Sequence, residues 1–177
     1  MSETPTLTCG IALGSNMGDR LKHLLDARAA VERLNTGAVS ALISPVYETE
    51  PVDCEPGSAA YLNAVMELQY EGAPVTLLGA LQELELILGR PSQHPRNAPR
   101  TIDLDLLYAG SVTLHGDDLV IPHPRLHTRR FVLQPLADIR PELVLPGFHE
   151  PILSLLRKLP SGPTVTRVFN AWPHKTP

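Results

Sequence analysis

Residues 96–108 read Arg-Asn-Ala-Pro-Arg-Thr-Ile-Asp-Leu-Asp-Leu-Leu-Tyr. From Thr101 the chain alternates. Thr101, Asp103 and Asp105 take one parity, and Ile102, Leu104 and Leu106 take the other. A strand sends successive side chains to opposite faces, so the apolar set can enter a core while two carboxylates line up opposite it. Their Cβ atoms would then lie on the order of 7 Å apart, two residues of strand rise. Such a pair suits Mg²⁺, which takes one or two carboxylates and fills its remaining positions with water and substrate phosphate oxygens. Just upstream, Arg90, Arg96 and Arg100 share a loop with Pro91, Pro95 and Pro99. Two readings compete: the solvated face of a half-exposed sheet, or a metal site. The arginines favour the second, because guanidinium groups beside a carboxylate pair fit a polyphosphate that bridges both.

Composition bounds what such a site serves. The chain has 177 residues, 43% of them hydrophobic and 19% charged, with a formal net charge of −4. That length suits one domain with a substantial core. The acidic balance gives no general attraction to nucleic acid, so local basic density at Arg90–Arg100 and at Arg125, Arg129 and Arg130 points to a small anionic ligand. Cys9 and Cys54 form no C-x-x-C pair, which leaves free thiols in a reducing compartment. The first residues lack the basic and apolar regions of a signal peptide, and no apolar run is long enough for a membrane span. A cytoplasmic protein is expected.

The elements on either side of the Asp strand set the fold class. Leu7 to Leu13 reads as a strand, and Gly14 to Asp19 as a turn. A helix follows on Leu21, Leu24, Leu25, Ala29 and Leu34. Ala38 to Thr49 reads as a second strand, with Pro45 marking an edge or a bulge. Tyr61 to Tyr70 reads as a third. Thr76 to Leu88 is the clearest helix, with Leu77, Leu78, Leu81, Leu84 and Leu88 in a stripe and Gln82, Glu83 and Glu85 off it. A short hairpin is expected around Val112 to Leu119, a helix capped by Thr128 through Phe131, Val132 and Leu136, and another over Ile152 to Leu159. The order β-α-β-β-α-β predicts an α+β, ferredoxin-like core: a mostly antiparallel sheet with flanking helices, in a single domain over 1–177. The core is expected over about 7–159, with 160–177 a loosely packed tail.

Taken together, Ile11-Ala12-Leu13-Gly14-Ser15-Asn16, Tyr61-Leu62-Asn63-Ala64, Pro99-Arg100-Thr101-Ile102-Asp103-Leu104-Asp105, Ile121-Pro122-His123-Pro124 and Arg129-Arg130-Phe131 resemble the 6-hydroxymethyl-7,8-dihydropterin pyrophosphokinase family of folate biosynthesis. The resemblance runs from about Leu7 to about Leu159. It implies an α/β/α sandwich, usually monomeric, that moves a pyrophosphoryl group from ATP to the hydroxymethyl group of the dihydropterin and releases AMP. It implies that Asp103 and Asp105 bind two Mg²⁺ ions. Arg90 and Arg100 would contact the phosphates, and His123 and Arg129 would lie near them. Gln82 and Glu85 would help hold the nucleotide, and Leu106 would border the adenine. Tyr61 and Phe131 would stack on the pterin, Asn63 would bond its edge, and Thr49 and Val52 would line its pocket with backbone groups. The chain departs from the family at Asn97, where an aromatic residue is common, at Ser92, where an arginine is expected, at Glu50 in place of proline, and at Pro124 in place of tyrosine.

Other classes fit less well. A non-catalytic binding module would not need both carboxylates. A metal-dependent phosphohydrolase would want a general base beside the strand, and a P-loop kinase would carry a Gly-Lys-Ser/Thr signature that is missing here.

Overall fold

The alternation around Asp103 builds an edge strand of a six-stranded sheet. The computed structural model describes residues 5–50, 59–90, 99–169 and 172. The elements are β1 (Thr6–Ser15), α1 (Arg20–Glu32), β2 (Leu42–Ile43), β3 (Val46–Thr49), β4 (Tyr61–Glu71), α2 (Pro74–Ile87), β5 (Asp103–Ala109), β6 (Leu114–His115), β7 (Val120–Ile121), α3 (Arg130–Ile139), α4 (Ile152–Lys158) and β8 (Val165–Phe169). The sheet runs β5-β1-β4-β3-β8, with β2 also on β4, and every pairing in it is antiparallel. Its first four strands have the order of a ferredoxin-like core.

Strand parity divides the hydrophobic residues between two layers. Cys9, Ile11 and Leu13 of β1, Leu62, Met66 and Leu68 of β4, and Leu104 and Leu106 of β5 pack on one face, under Leu24, Ala27 and Val31 of α1 and Leu77 and Leu81 of α2. Val65 and Leu107 occupy the other face, under Val132, Leu133 and Leu136 of α3 and Ile152 and Leu156 of α4. Helices on both faces make the α/β/α sandwich. Asp19 caps α1, its carboxylate accepting from Lys22 N at 3.0 Å. Pro74 starts α2, where a missing N–H costs nothing.

β5 is not a regular strand. Cα partners run Gly10↔Tyr108 and then Ile11↔Leu106, so Leu107 is an extra residue. The bulge brings Tyr108 onto the same face as Leu107, where its hydroxyl donates to Glu67 Oε2 at 2.6 Å. Glu67 Oε1 accepts from Arg140 Nε at 2.8 Å and Nη2 at 2.6 Å. A buried carboxylate is thereby paired and fully bonded, the condition under which such a charge is tolerated.

Three expectations need correction. Ala38 to Thr49 is two short strands rather than one, and of the two readings of Pro45 the bulge holds and the edge does not: Ile43 pairs with Met66 and Tyr47 with Asn63, so one extra residue sits between them. Pro45, with no N–H to give, separates β2 from β3, and Ser44 bridges the break by exchanging bonds with Val65 through its backbone N and its hydroxyl. β3 lies inside the sheet, because β8 pairs with its outer side. The described part of the tail, residues 160–169 and 172, is accordingly not loose. Arg167 of β8 donates to Tyr47 Oη at 2.9 Å and to Asp138 Oδ1 at 3.0 Å. Trp172 Nε1 donates to Ser44 O at 2.8 Å, with Arg28 above its ring. Thr128, finally, does not cap α3. Its hydroxyl turns back to Arg125 O, and Arg129 holds the cap position. No helix among the described residues is long and apolar enough to cross a membrane.

Candidate active site

The site grows from a single row across the sheet. Gly14 of β1 stands opposite Asp103 of β5 on one side and Asn63 of β4 on the other. A Cβ on Gly14 would lie 3.1 Å from Asn63 Oδ1 and 4.0 Å from Asp103 Cβ. The glycine therefore keeps the floor between the two side chains low. Two inter-strand spacings separate β5 from β4, roughly 10 Å. Over this floor opens a pocket of about 110 Å³, lined by Ala12, Leu13, Gly14, Thr49, Glu50, Tyr61, Asn63, Ala64, Arg100, Asp103, Asp105, Arg129 and Phe131.

One end is charged. Asp103 Oδ1 accepts from Arg90 Nη1 and from Arg100 Nη1, each at 2.8 Å. Asp105 Oδ2 pairs with Arg129 Nη1 at 3.4 Å. Arg90 also pairs with Glu85 at the end of α2, and Glu85 Oε1 accepts the outward-facing N–H of Leu104 at 2.7 Å. Glu85 is thus buried against the edge strand rather than off the helix stripe, and burial raises its pKa. Gln82, its expected companion, is exposed and lies outside the pocket lining.

Burial and the neighbouring Asp103 raise the pKa of Asp105, against the lowering influence of His123, Arg129 and Arg100. Burial lowers that of His123. Its Nδ1 accepts from Arg125 N at 3.1 Å, which leaves a neutral imidazole with its proton on Nε2, a donor suited to an anionic oxygen.

Asp103 Oδ2 and Asp105 Oδ1 accept no hydrogen bond among the described residues. One hard oxygen on each carboxylate is therefore available, which fits magnesium. No third His, Cys, Asp or Glu joins them among the described residues, so water and substrate oxygens would complete the shell.

The other end suits a flat polar ring. Tyr61 opens β4 and Phe131 lies in the first turn of α3, and both border the pocket. Arg129 stacks 5.5 Å from the Phe131 ring centroid. Asn63 is buried, and its Nδ2 donates to Thr49 Oγ1 at 2.7 Å. That bond fixes which end of the amide is the acceptor facing the floor.

Most of the residues expected from sequence thus converge: Thr49, Tyr61, Asn63, Arg100, Asp103, Asp105, Arg129 and Phe131 border one space, and Arg90 and Glu85 adjoin it. The side chain of Leu106 lies in the core beneath α1 and α2. Since β5 is an edge strand, only its backbone can face a nucleotide there. Val52, Ser92, Arg96 and Asn97 lie outside the described residues. Gly14 and Glu50 enter as lining residues that residue-by-residue reading did not single out as ligands. For Gly14 the only signal was a strand ending on a glycine turn.

Comparison with known proteins adds the following. A family model described as 7,8-dihydro-6-hydroxymethylpterin-pyrophosphokinase (HPPK) matches residues 10–141. The chain is 40% identical over 144 residues to the 2-amino-4-hydroxy-6-hydroxymethyldihydropteridine pyrophosphokinase of Pseudomonas aeruginosa, covering 81% of this chain and 87% of that one. It is 40% identical over 129 residues to the protein of that name from Bacillus subtilis, covering 73% and 75%. It is 39% identical over 150 residues to the folic acid synthesis protein fol1 of Pneumocystis carinii, covering 84% of this chain but spanning only 20% of that longer protein. Among solved structures, Plasmodium falciparum HPPK-DHPS superposes with a TM-score of 0.70 at 15% identity, over 89% of this chain and 45% of that one, which is a likeness of fold.

Proposed function

This chain belongs to the 7,8-dihydro-6-hydroxymethylpterin-pyrophosphokinase family, and on that premise we propose that it transfers a pyrophosphoryl group from ATP to the hydroxymethyl group of 6-hydroxymethyl-7,8-dihydropterin, in folate biosynthesis. The products are the pterin diphosphate and AMP. The observation that carries the reading is the pocket's division: the guanidinium groups of Arg100 and Arg129 and two carboxylates over β5, with Arg90 adjoining, and two aromatic rings with a buried amide over β4 and α3.

The chemistry follows from that division. The dihydropterin ring lies between Tyr61 and Phe131, whose flat faces give a large contact at low entropic cost. Asn63 bonds its edge, and the backbone of Thr49 completes that wall. The hydroxymethyl group then points along Gly14 toward Asp103. Two magnesium ions, held by Asp103 and Asp105, would supply neutralisation of the phosphate charge and polarise the attacking hydroxyl. Arg90, Arg100 and Arg129 offer fixed forks to the phosphate oxygens, and His123 offers its Nε2 proton. Their pairing with Asp103 and Asp105 stores them beside the site before substrate arrives. The outward backbone of Leu106 meets the adenine, with Gln82 and Glu85 on the adjacent helix. Catalysis of this kind rests on alignment and charge stabilisation more than on covalent chemistry. The free thiol of Cys9 fits a reducing compartment such as the cytoplasm.

Replacing Asp103 or Asp105 by Asn should lower turnover on the order of 10³-fold, in the range of losing a preorganised electrostatic contact, with circular dichroism unchanged. Near-normal turnover in either variant would remove the metal assignment.

A further inference from the structure

We infer that Asn16 is a positioning residue for Arg100, holding it on the face of the sheet where it meets Asp103. This rests on the reaction proposed above. The β1–β5 ladder sets Gly14 opposite Asp103, so a continuing register would set Asn16 opposite Thr101. Instead Asn16 N donates to Arg100 O at 3.1 Å, and Arg100 N donates to Asn16 Oδ1 at 2.7 Å. Between these pairings the Asp strand runs three residues where β1 runs two. An extra residue reverses parity.

The reversal decides the site. Residues three apart on a regular strand face opposite ways, so Arg100 would sit with Ile102 in the core layer. The slip returns it to the carboxylate face, where Nη1 reaches Asp103 Oδ1 at 2.8 Å. The Asn16 side chain supplies the acceptor that the shifted ladder lacks. It is 97% buried, and the other polar groups of this corner give it no help: Ser15 Oγ, Thr101 Oγ1 and Arg100 Nε are buried without a partner among the described residues. Alanine at 16 leaves the Arg100 N–H unpaired and the slip unsecured. Aspartate keeps an acceptor oxygen at the same reach.

Steady-state kinetics of the full chain test this with a double-mutant cycle. Asn16→Ala should lower kcat about thirty- to hundredfold, as for a misplaced catalytic group, with the pterin KM within about threefold. Asn16→Asp should stay within about fivefold of wild type, because the acceptor survives. In an Arg100→Ala background, Asn16→Ala should cost no more than about twofold, since coupled residues are not additive. Calorimetric binding of a non-hydrolysable ATP analogue should show the same coupling without turnover. Additive losses in the two backgrounds, or an Asp variant as poor as the Ala variant, would overturn the inference. A wild-type chain without turnover would instead sink the proposed reaction, and the analogue-binding cycle would still decide the role of Asn16.

Discussion

Gly10→Ala should be among the most damaging single-methyl additions in the chain. Gly10 lies at the middle of β1, flanked by Tyr108 on β5 and Glu67 on β4. The Tyr108 ring crosses directly over it to reach Glu67 Oε2. A Cβ on Gly10 would sit 2.1 Å from Tyr108 Cε1 and 2.5 Å from Cζ, far inside contact distance. The ring cannot swing away cheaply, because it is buried and its hydroxyl is tied to a carboxylate that Arg140 also holds. Overpacking alone costs about 1–3 kcal/mol. Breaking a hydrogen bond to a buried charge adds about 1.5–3 kcal/mol. The expected loss is roughly 3–5 kcal/mol, a large part of a typical domain's stability. For a chain of this size that is a fall in Tm of about 10 °C. Thermal unfolding followed by circular dichroism measures it. In a Tyr108→Ala background the same change should be neutral or slightly stabilising, since the clash is gone and alanine narrows the unfolded ensemble. A fall under about 3 °C in the wild-type background, or an equal fall without the ring, would refute the reasoning.

Two further outcomes follow from the same geometry. Phe131→Ala should weaken dihydropterin binding by ~2 kcal/mol, about thirtyfold, read by pterin fluorescence titration; unchanged affinity would remove the stacking assignment. The Cys9 thiol is pushed up by burial from 9.0 to about 12, with Glu67 adding to the shift. In a Cys54→Ser background it should not react with a thiol reagent at pH 8 until the protein unfolds. The folded state holds the thiol proton more tightly than the unfolded state, so this group's contribution to stability is full below pH 9 and is lost as pH rises from 9 toward 12. Rapid labelling of the native chain at pH 8 would contradict this.

Elements with clean periodicity were legible in the sequence. The apolar parity of Ile102, Leu104 and Leu106 placed the carboxylates on the opposite face, and the leucine stripe of α2 located its helix. Departures came where backbone geometry or remote partners override local pattern. Parity alone puts Arg100 on the wrong face, because the slip that returns it depends on Asn16, far away in sequence. The bulge at Leu107 reassigns Tyr108 in the same way. Glu85 reads as solvent-facing because a helix glutamate usually is; its burial depends on Arg90 and on the free N–H of an edge strand. β8 is mostly exposed and sits among prolines, so it shows neither burial period nor length. Its partner Tyr47 and its anchor Asp138 lie on β3 and α3, which no local window can link. At the site, single residues such as Asn63 or Phe131 said little alone, and their meaning came from motifs in order along the chain.

The central claim is the transfer of two phosphoryl units at once across the pocket. The most direct measurement resolves the products formed from ATP, Mg²⁺ and 6-hydroxymethyl-7,8-dihydropterin. Pyrophosphoryl transfer predicts AMP and pterin diphosphate in equal amounts, with neither forming when the pterin is withheld. ADP as the nucleotide product, or AMP released without pterin diphosphate, would contradict it.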